Sequence, residues 1–109
     1  MAELDGERAA DMVIEKRSDP GGAPVVAVSG ELDISNAATL EATVAALAAE
    51  RPERLSFDLS GLRYMDSAGI AVLLGAATKL KEVQVRDPSP AVRRVIEITG
   101  LSDVLSIES

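Results

Sequence analysis

The chain has no cysteine, no histidine and no tryptophan, and its 109 residues include only one phenylalanine, Phe57, and one tyrosine, Tyr64. The absence of cysteine excludes a disulfide framework and thiol chemistry. Without His or Cys, zinc has no ordinary ligand set, and no serine has an imidazole to activate it as a nucleophile. The near absence of aromatics makes the core aliphatic. No long apolar run marks a membrane span or a signal peptide, so a cytoplasmic protein is the default expectation. Positive charge is also scarce: 11 basic against 18 acidic residues leave a formal net charge of −7. Phosphate backbones and anionic membrane surfaces repel such a chain, which argues against nucleic-acid and membrane binding. Basic protein partners are favoured.

Hydrophobic residues make up 47% of the chain, too many for a disordered segment. The length suits one domain with one core, which should bury roughly two-thirds of its unfolded surface. Residues 1–10 are polar and without periodicity and are expected to be a mobile N-terminus, with one domain over 11–109. Met12 to Arg17 alternate weakly, as an edge strand does. Ser18-Asp19-Pro20-Gly21-Gly22 is a dense turn signal, and Pro24 to Glu31 reads as a strand, so the two strands form an antiparallel hairpin. Ser35 or Asn36 caps a first helix, whose apolar stripe Ala37, Leu40, Val44 and Leu47 predicts a run to about Glu50, before Arg51-Pro52. Arg54 to Leu59 is a buried strand and Ser67 to about Lys81 a second helix. Val83 and Val85 mark a third core strand. Pro88-Ser89-Pro90 opens a third helix that Gly100 ends, and Val104 to Ile107 adds a short last strand.

The order β-β-α-β-α-β-α-β predicts an α/β fold: a mixed, mostly parallel sheet of four to five strands with about three helices. Ligands of such sheets gather at the carboxyl ends of the strands. Asp33, Asp58 and the turn before Ser67 all follow predicted strand ends and are expected to share one edge. Gly61 is expected to take a left-handed turn position.

The stretch richest in information is Asp58-Leu59-Ser60-Gly61-Leu62-Arg63-Tyr64-Met65-Asp66-Ser67-Ala68-Gly69, running into Val72-Leu73-Leu74-Gly75. It predicts a strand, a short turn and a helix opening at Asp66-Ser67. That places the Ser67 hydroxyl at a helix N-terminus, where free N–H groups favour negative charge. With no histidine in the chain, such a serine suits receiving a phosphate better than performing chemistry. On the second helix Ile70, Leu73, Leu74, Ala77 and Leu80 are expected to pack on the sheet. The opposite face, with Ala68, Ala71, Val72, Gly75, Ala76 and Lys79, is small and flat enough to accept a partner closely, and Gly69 and Gly75 would ease that approach.

These residues resemble the STAS domain of anti-anti-sigma factors. Asp58-Leu59-Ser60-Gly61 and Met65-Asp66-Ser67-Ala68-Gly69 carry the likeness. Gly30-Glu31-Leu32-Asp33 matches the family motif after the second strand, and Pro88-Ser89-Pro90-Ala91-Val92-Arg93-Arg94 with Thr99-Gly100-Leu101 matches its last helix. The resemblance runs from about Met12 to Ile107. It implies a STAS-like domain that is not an enzyme and holds no cofactor. In that family the unphosphorylated protein binds an anti-sigma factor that is also a serine kinase, which frees a sigma factor for transcription. The kinase, which supplies ATP and Mg, then phosphorylates the serine after the Asp, here Ser67, and the complex separates. A PP2C-type phosphatase resets it. The partner-binding set implied here is Asp33, Asp66, Ala68, Gly69, Ala71, Val72 and Gly75, on a chain that is a monomer when free. Gly75 to Glu82 is about one helical turn shorter than the family pattern, which leaves either an early end to the helix or a shifted strand.

Other readings stay open at this level. By position alone Ser67 is a helix cap; only its surrounding motif favours a phosphoacceptor. The same fold also serves as a constitutive binding or scaffold module, with nucleotide as a candidate ligand. A small hydrolase is the weakest reading, because no Gly-x-Ser-x-Gly elbow surrounds Ser67.

Overall fold

The computed structural model describes the backbone of residues 6–9 and 11–108 and the side chains of 11–108. In chain order the elements are β1 (Gly6–Ala9), β2 (Met12–Ser18), β3 (Pro24–Leu32), α1 (Ala37–Ala48), β4 (Leu55–Met65), α2 (Ser67–Lys79), β5 (Val83–Arg86), α3 (Pro90–Ile98), a 3-10 turn (Leu101–Asp103) and β6 (Ser106–Glu108). The six strands lie in the sheet in the order of the sequence. β1–β2 and β2–β3 pair antiparallel, and the remaining three pairs are parallel. Every parallel crossover steps in the same direction, so right-handed connections put all the helices on one face. One buried cluster joins the layers: Val26, Val28, Phe57 and Val85 of the sheet meet Leu40 and Val44 of α1, Leu73 and Ala76 of α2, and Val92 and Ile96 of α3.

The α/β class and the mixed, mostly parallel sheet are as the sequence reads. The strand count is six because Gly6–Ala9, expected to lack regular structure, pairs with β2 from Gly6↔Glu15 to Ala9↔Met12. β2 is therefore not an edge strand. The remainder of the expected mobile segment, residues 1–5 and 10, lies outside the described residues.

β4 departs most from expectation. It does not stop near Asp58 but continues to Met65. Ala27 pairs with Asp58 and Ser29 with Gly61, then Gly30 with Leu62 and Glu31 with Tyr64, so β4 twice carries one residue more than β3. Such bulges change which residues face the core. Leu55, Phe57 and Leu59 point inward by alternation, and Leu62 after the first bulge and Met65 after the second are the buried ones. Gly61 is not in a left-handed conformation. A Cβ there would lie 2.8 Å from the Ser29 Cβ, so close contact between β3 and β4 is what demands glycine. Asp58 neither ends its strand nor joins Asp33 and Ser67 at one edge. It sits beside Arg86 in register and faces Arg17 at 3.5 Å.

The loops follow local rules more closely. The Ser89 side chain accepts from the Val92 N–H at 3.3 Å, Pro90 begins α3, and Gly100 ends the segment at φ 80°. Before β5 the helix ends at Lys79, two residues short of the expected Lys81, and Leu80 turns into the core ahead of Val83. The β2–β3 turn is pinned by Asp19, whose side chain is 2% exposed. Its Oδ1 accepts from the Gly21 and Ala23 N–H groups, each at 2.9 Å, and its Oδ2 meets Arg54 at 2.8 Å and Arg86 at 3.8 Å. The Arg54 hydrogen bond is the main reason that this carboxyl titrates below its usual 3.8.

Candidate functional site

α2 starts where the sequence places it. Asp66 is the N-cap in extended backbone, and its Oδ1 accepts from the Ala68 N–H at 2.8 Å. The Gly69 and Ile70 N–H groups donate to the Asp66 carbonyl at 3.0 and 3.2 Å. Asp66 thus does the capping, and Ser67 is left as the first helical residue, exposed to solvent. A hydroxyl at this position is within reach of an external transferase and lies in the positive field of the helix N-terminus.

The neighbouring strand brings Asp33 alongside. Leu32 and Met65 are partners at the carboxyl ends of β3 and β4, and the Asp66 N–H donates across to the Leu32 carbonyl at 3.2 Å. Asp33 and Asp66 therefore both leave the sheet at one point, with Ser67 next. Asp33 is half-buried, and its Oδ1 accepts from the Ser35 N–H at 2.9 Å and the Ser35 hydroxyl at 2.6 Å. Neither Ser35 nor Asn36 caps α1 by a side-chain bond. Asn36 is instead turned into the β3–α1 loop and is 2% exposed.

The outward face of α2 differs from expectation. Gly69, Val72, Leu73 and Ala76 are the buried residues, while Ser67, Ala71, Leu74 and Thr78 form the exposed stripe. Ala68 and Gly75 flank that stripe, half-buried. Gly69 and Val72 are consequently removed from any contact surface, and Leu74, expected to pack on the sheet, is 47% exposed. The cause is steric. A Cβ at Gly69 would press into the Met65 Cγ and come within 2.9 Å of the Leu32 Cδ2. The helix lies tightly against Leu32 and Met65 there, so its glycine turns inward. Hydrophobicity alone leaves the phase undetermined, because both sides of α2 are apolar.

Two further exposed apolar side chains share this end of the molecule and were not singled out from the sequence: Ile34, in the β3–α1 loop, at 85%, and Tyr64, near the end of β4, at 51%. Ile34 stands among polar residues in Asp33-Ile34-Ser35-Asn36, and that isolation was its available signal. Glu31, on β3 beside Tyr64, pairs with Arg63 at 3.6 Å. A concavity over β2, β3 and β4 is lined by Val13, Glu15, Arg17, Ser29, Asp58 and Ser60. Among the described residues no cluster of His, Cys, Asp or Glu suits a metal ion, and no helix is long and apolar enough to cross a membrane.

Known proteins resemble this chain in sequence and fold. Residues 16–106 match the family model described as Mlab, STAS domain. The anti-sigma-F factor antagonist RsfB of Mycobacterium tuberculosis is 28% identical over 104 residues, covering 93% of this chain and 85% of that protein. An anti-sigma-B factor antagonist of Staphylococcus aureus is 30% identical over 86 residues, covering 75% of this chain and 80% of its own length. The crystal structure of an anti-sigma factor antagonist from Mycobacterium paratuberculosis superposes with a TM-score of 0.83 at 33% identity, covering 92% of this chain and 88% of that one. With the family model matching residues 16–106 and these relatives aligned over 75% to 93% of the sequence, the chain belongs to the STAS-domain family of anti-sigma factor antagonists.

Proposed function

We propose that this chain is a phosphorylation-controlled antagonist of an anti-sigma factor, with Ser67 as its switch. In the unphosphorylated form it binds an anti-sigma factor serine kinase through Asp33, Asp66, Ala68, Ala71 and Gly75, at the start of α2 and along its exposed stripe. The kinase then releases its sigma factor. Transfer of the γ-phosphoryl group of ATP to the Ser67 oxygen, with loss of the hydroxyl proton and departure of ADP, ends the complex. A PP2C-type phosphatase restores the hydroxyl. The chain acts in the cytoplasm, is a monomer when free, and performs no catalysis itself.

The observation that carries this reading is the exposed Ser67 hydroxyl at the first position of α2, beside Asp66 and the Asp33 loop. A phosphoryl group adds roughly −1.5 to −2 charges there. Two like unit charges about 4 Å apart repel by about 1 kcal/mol in water and about 4 kcal/mol at an effective dielectric near 20. Sealing the phosphate into an interface adds a desolvation penalty. A hundredfold loss of affinity requires only about 2.7 kcal/mol, so charge and desolvation suffice without a change of fold. The helix dipole acts the other way within the free protein, stabilising the phosphate by about 0.3–1 kcal/mol. The modified chain therefore stays folded and loses only its partner.

Incubation with its kinase and ATP is expected to add one phosphate, at Ser67, read by intact mass and peptide mapping. Ser67→Asp should weaken the complex about a hundredfold, the equivalent of about 2.7 kcal/mol, while Ser67→Ala keeps it. Phosphate on another residue with Ser67 bare, or equal affinity of the two variants, refutes the assignment.

A further inference from the structure

We infer that Ile34 is a rigid apolar anchor, held outward by Asn36, that seats in an apolar socket rimmed by cationic side chains on the kinase partner. This rests on the reading under Proposed function and extends it to a part of the surface that the Ser67 switch does not explain.

The loop between β3 and α1 is tied to itself throughout. The Asn36 Oδ1 accepts from the Asp33 N–H at 3.0 Å, and its Nδ2 donates to the Glu31 carbonyl at 2.8 Å. The Asn36 and Ala37 N–H groups both donate to the Asp33 carbonyl, at 3.1 and 2.9 Å. The Asp33 carboxylate takes up the Ser35 N–H and hydroxyl. At the base of the loop the Glu31 N–H donates to the Asp11 carbonyl at 2.9 Å. A buried amide side chain that spans the loop from inside leaves the backbone on either side of Ile34 little freedom.

What this lock holds out is an isoleucine. Ile34 is 85% exposed and takes no part in the hydrophobic core. A single exposed aliphatic residue is ordinary by itself. Here it projects from a pre-ordered loop, two residues beyond Leu32, and Leu32 is joined through its carbonyl to the residue before Ser67. At strand spacing that puts Ile34 on the order of 10 Å from Ser67. Tyr64, near the carboxyl end of β4, extends the apolar area on the same end. A side chain already fixed in its bound conformation loses little entropy on docking, which is how a small anchor dominates an interface.

The surround indicates the chemistry of the socket. Asp33 and Asp66 are acidic. Arg63 is paired with Glu31. The whole chain carries a formal −7. An apolar pocket with Lys or Arg on its rim complements both the isoleucine and this charge.

The probe is the purified anti-sigma factor kinase of the source organism that phosphorylates the wild-type chain, assayed by titration and by steady-state phosphorylation of Ser67. Ile34→Ala is expected to weaken binding at least about tenfold (about 1.4 kcal/mol). It should raise KM with kcat unchanged and leave the melting temperature as in wild type, while Ile34→Leu restores affinity to within about threefold. Ile34→Lys should bind less well than Ile34→Asp, because the rim is cationic; the reverse order refutes that rim. Wild-type affinity of Ile34→Ala, alongside release by Ser67→Asp, overturns the anchor and leaves the switch standing. If no kinase binds or modifies the wild type, the switch falls and the anchor with it. Amide hydrogen exchange tests the lock without any partner: the Asp33 and Ser35 N–H groups should exchange at least about tenfold slower than free peptide, and intrinsic rates at both overturn the pre-ordered loop.

Discussion

Gly69 and Gly75 lie on the same helix, yet alanine is expected to act in opposite directions at the two positions. At Gly75 a Cβ meets nothing within 4 Å, so Gly75→Ala removes backbone freedom from the unfolded chain without a steric consequence. A helix-interior Gly→Ala change of this kind stabilises by up to about 1 kcal/mol. At Gly69 the same propensity gain is opposed. The new methyl would lie 2.9 Å from the Leu32 Cδ2 and 3.0 Å from its Cγ, and closer still to the Met65 Cγ. Leu32 is 1% exposed and Met65 4%, so neither has solvent to move into. Overpacking of this type costs about 1–3 kcal/mol. Gly69→Ala should therefore fall between neutral and about 2 kcal/mol destabilised. Helix propensity is common to both variants and cancels in their difference, which leaves about 1–3 kcal/mol of steric origin. For a domain of about this size, each kcal/mol moves the melting temperature by about 4–8 °C. Urea unfolding of the two variants and wild type, with the slopes checked for equality, measures the difference directly. If Gly69→Ala is as stable as Gly75→Ala, the close crossing at Met65 and Leu32 does not set the phase of α2, and the outward stripe assigned to it loses its basis.

Two further predictions concern the core and the β2–β3 turn. Phe57 is fully buried, and Phe57→Ala is expected to cost about 3–5 kcal/mol in urea unfolding, with a smaller loss counting against its place in the core. Asp19 titrates below 3.8 in the folded state, chiefly through its bond from Arg54. A lowered carboxylate pKa contributes stability that is present above the unfolded value and is lost as pH falls through the folded one. Wild type should accordingly lose stability faster than Asp19→Asn as pH falls below about 4, the range set by the ordinary aspartate pKa. Parallel acid limbs for the two proteins would refute the clamp.

Much of the fold is legible because its signals are local. Asp66, Ser89 and Gly100 cap or end their helices through bonds and dihedrals that involve only the nearest few residues. The dense turn at Ser18 to Gly22 makes the hairpin, and the alternation of strand and helix beyond it implies parallel crossovers. The candidate site was legible to the same depth: Ser67 at a helix start and Asp33 after a strand are read from spacing, and the parallel pairing of β3 and β4 makes them neighbours.

What the sequence determined by itself, then, is the order of elements from β2 onward, the place of Ser67 at a helix start and the residues that open α2 and α3. The tertiary structure decided which side of α2 faces out, how far β4 runs, and what Asp19 does. The reason is that these depend on partners distant in the chain. The buried side of α2 is chosen where it crosses Leu32 and Met65. The bulges in β4 follow from its register with β3. β1 becomes a strand only because β2 offers it an edge. Asp19 looks like a turn residue in the sequence, and it becomes a buried latch because the fold brings the Arg54 and Arg86 guanidinium groups to it.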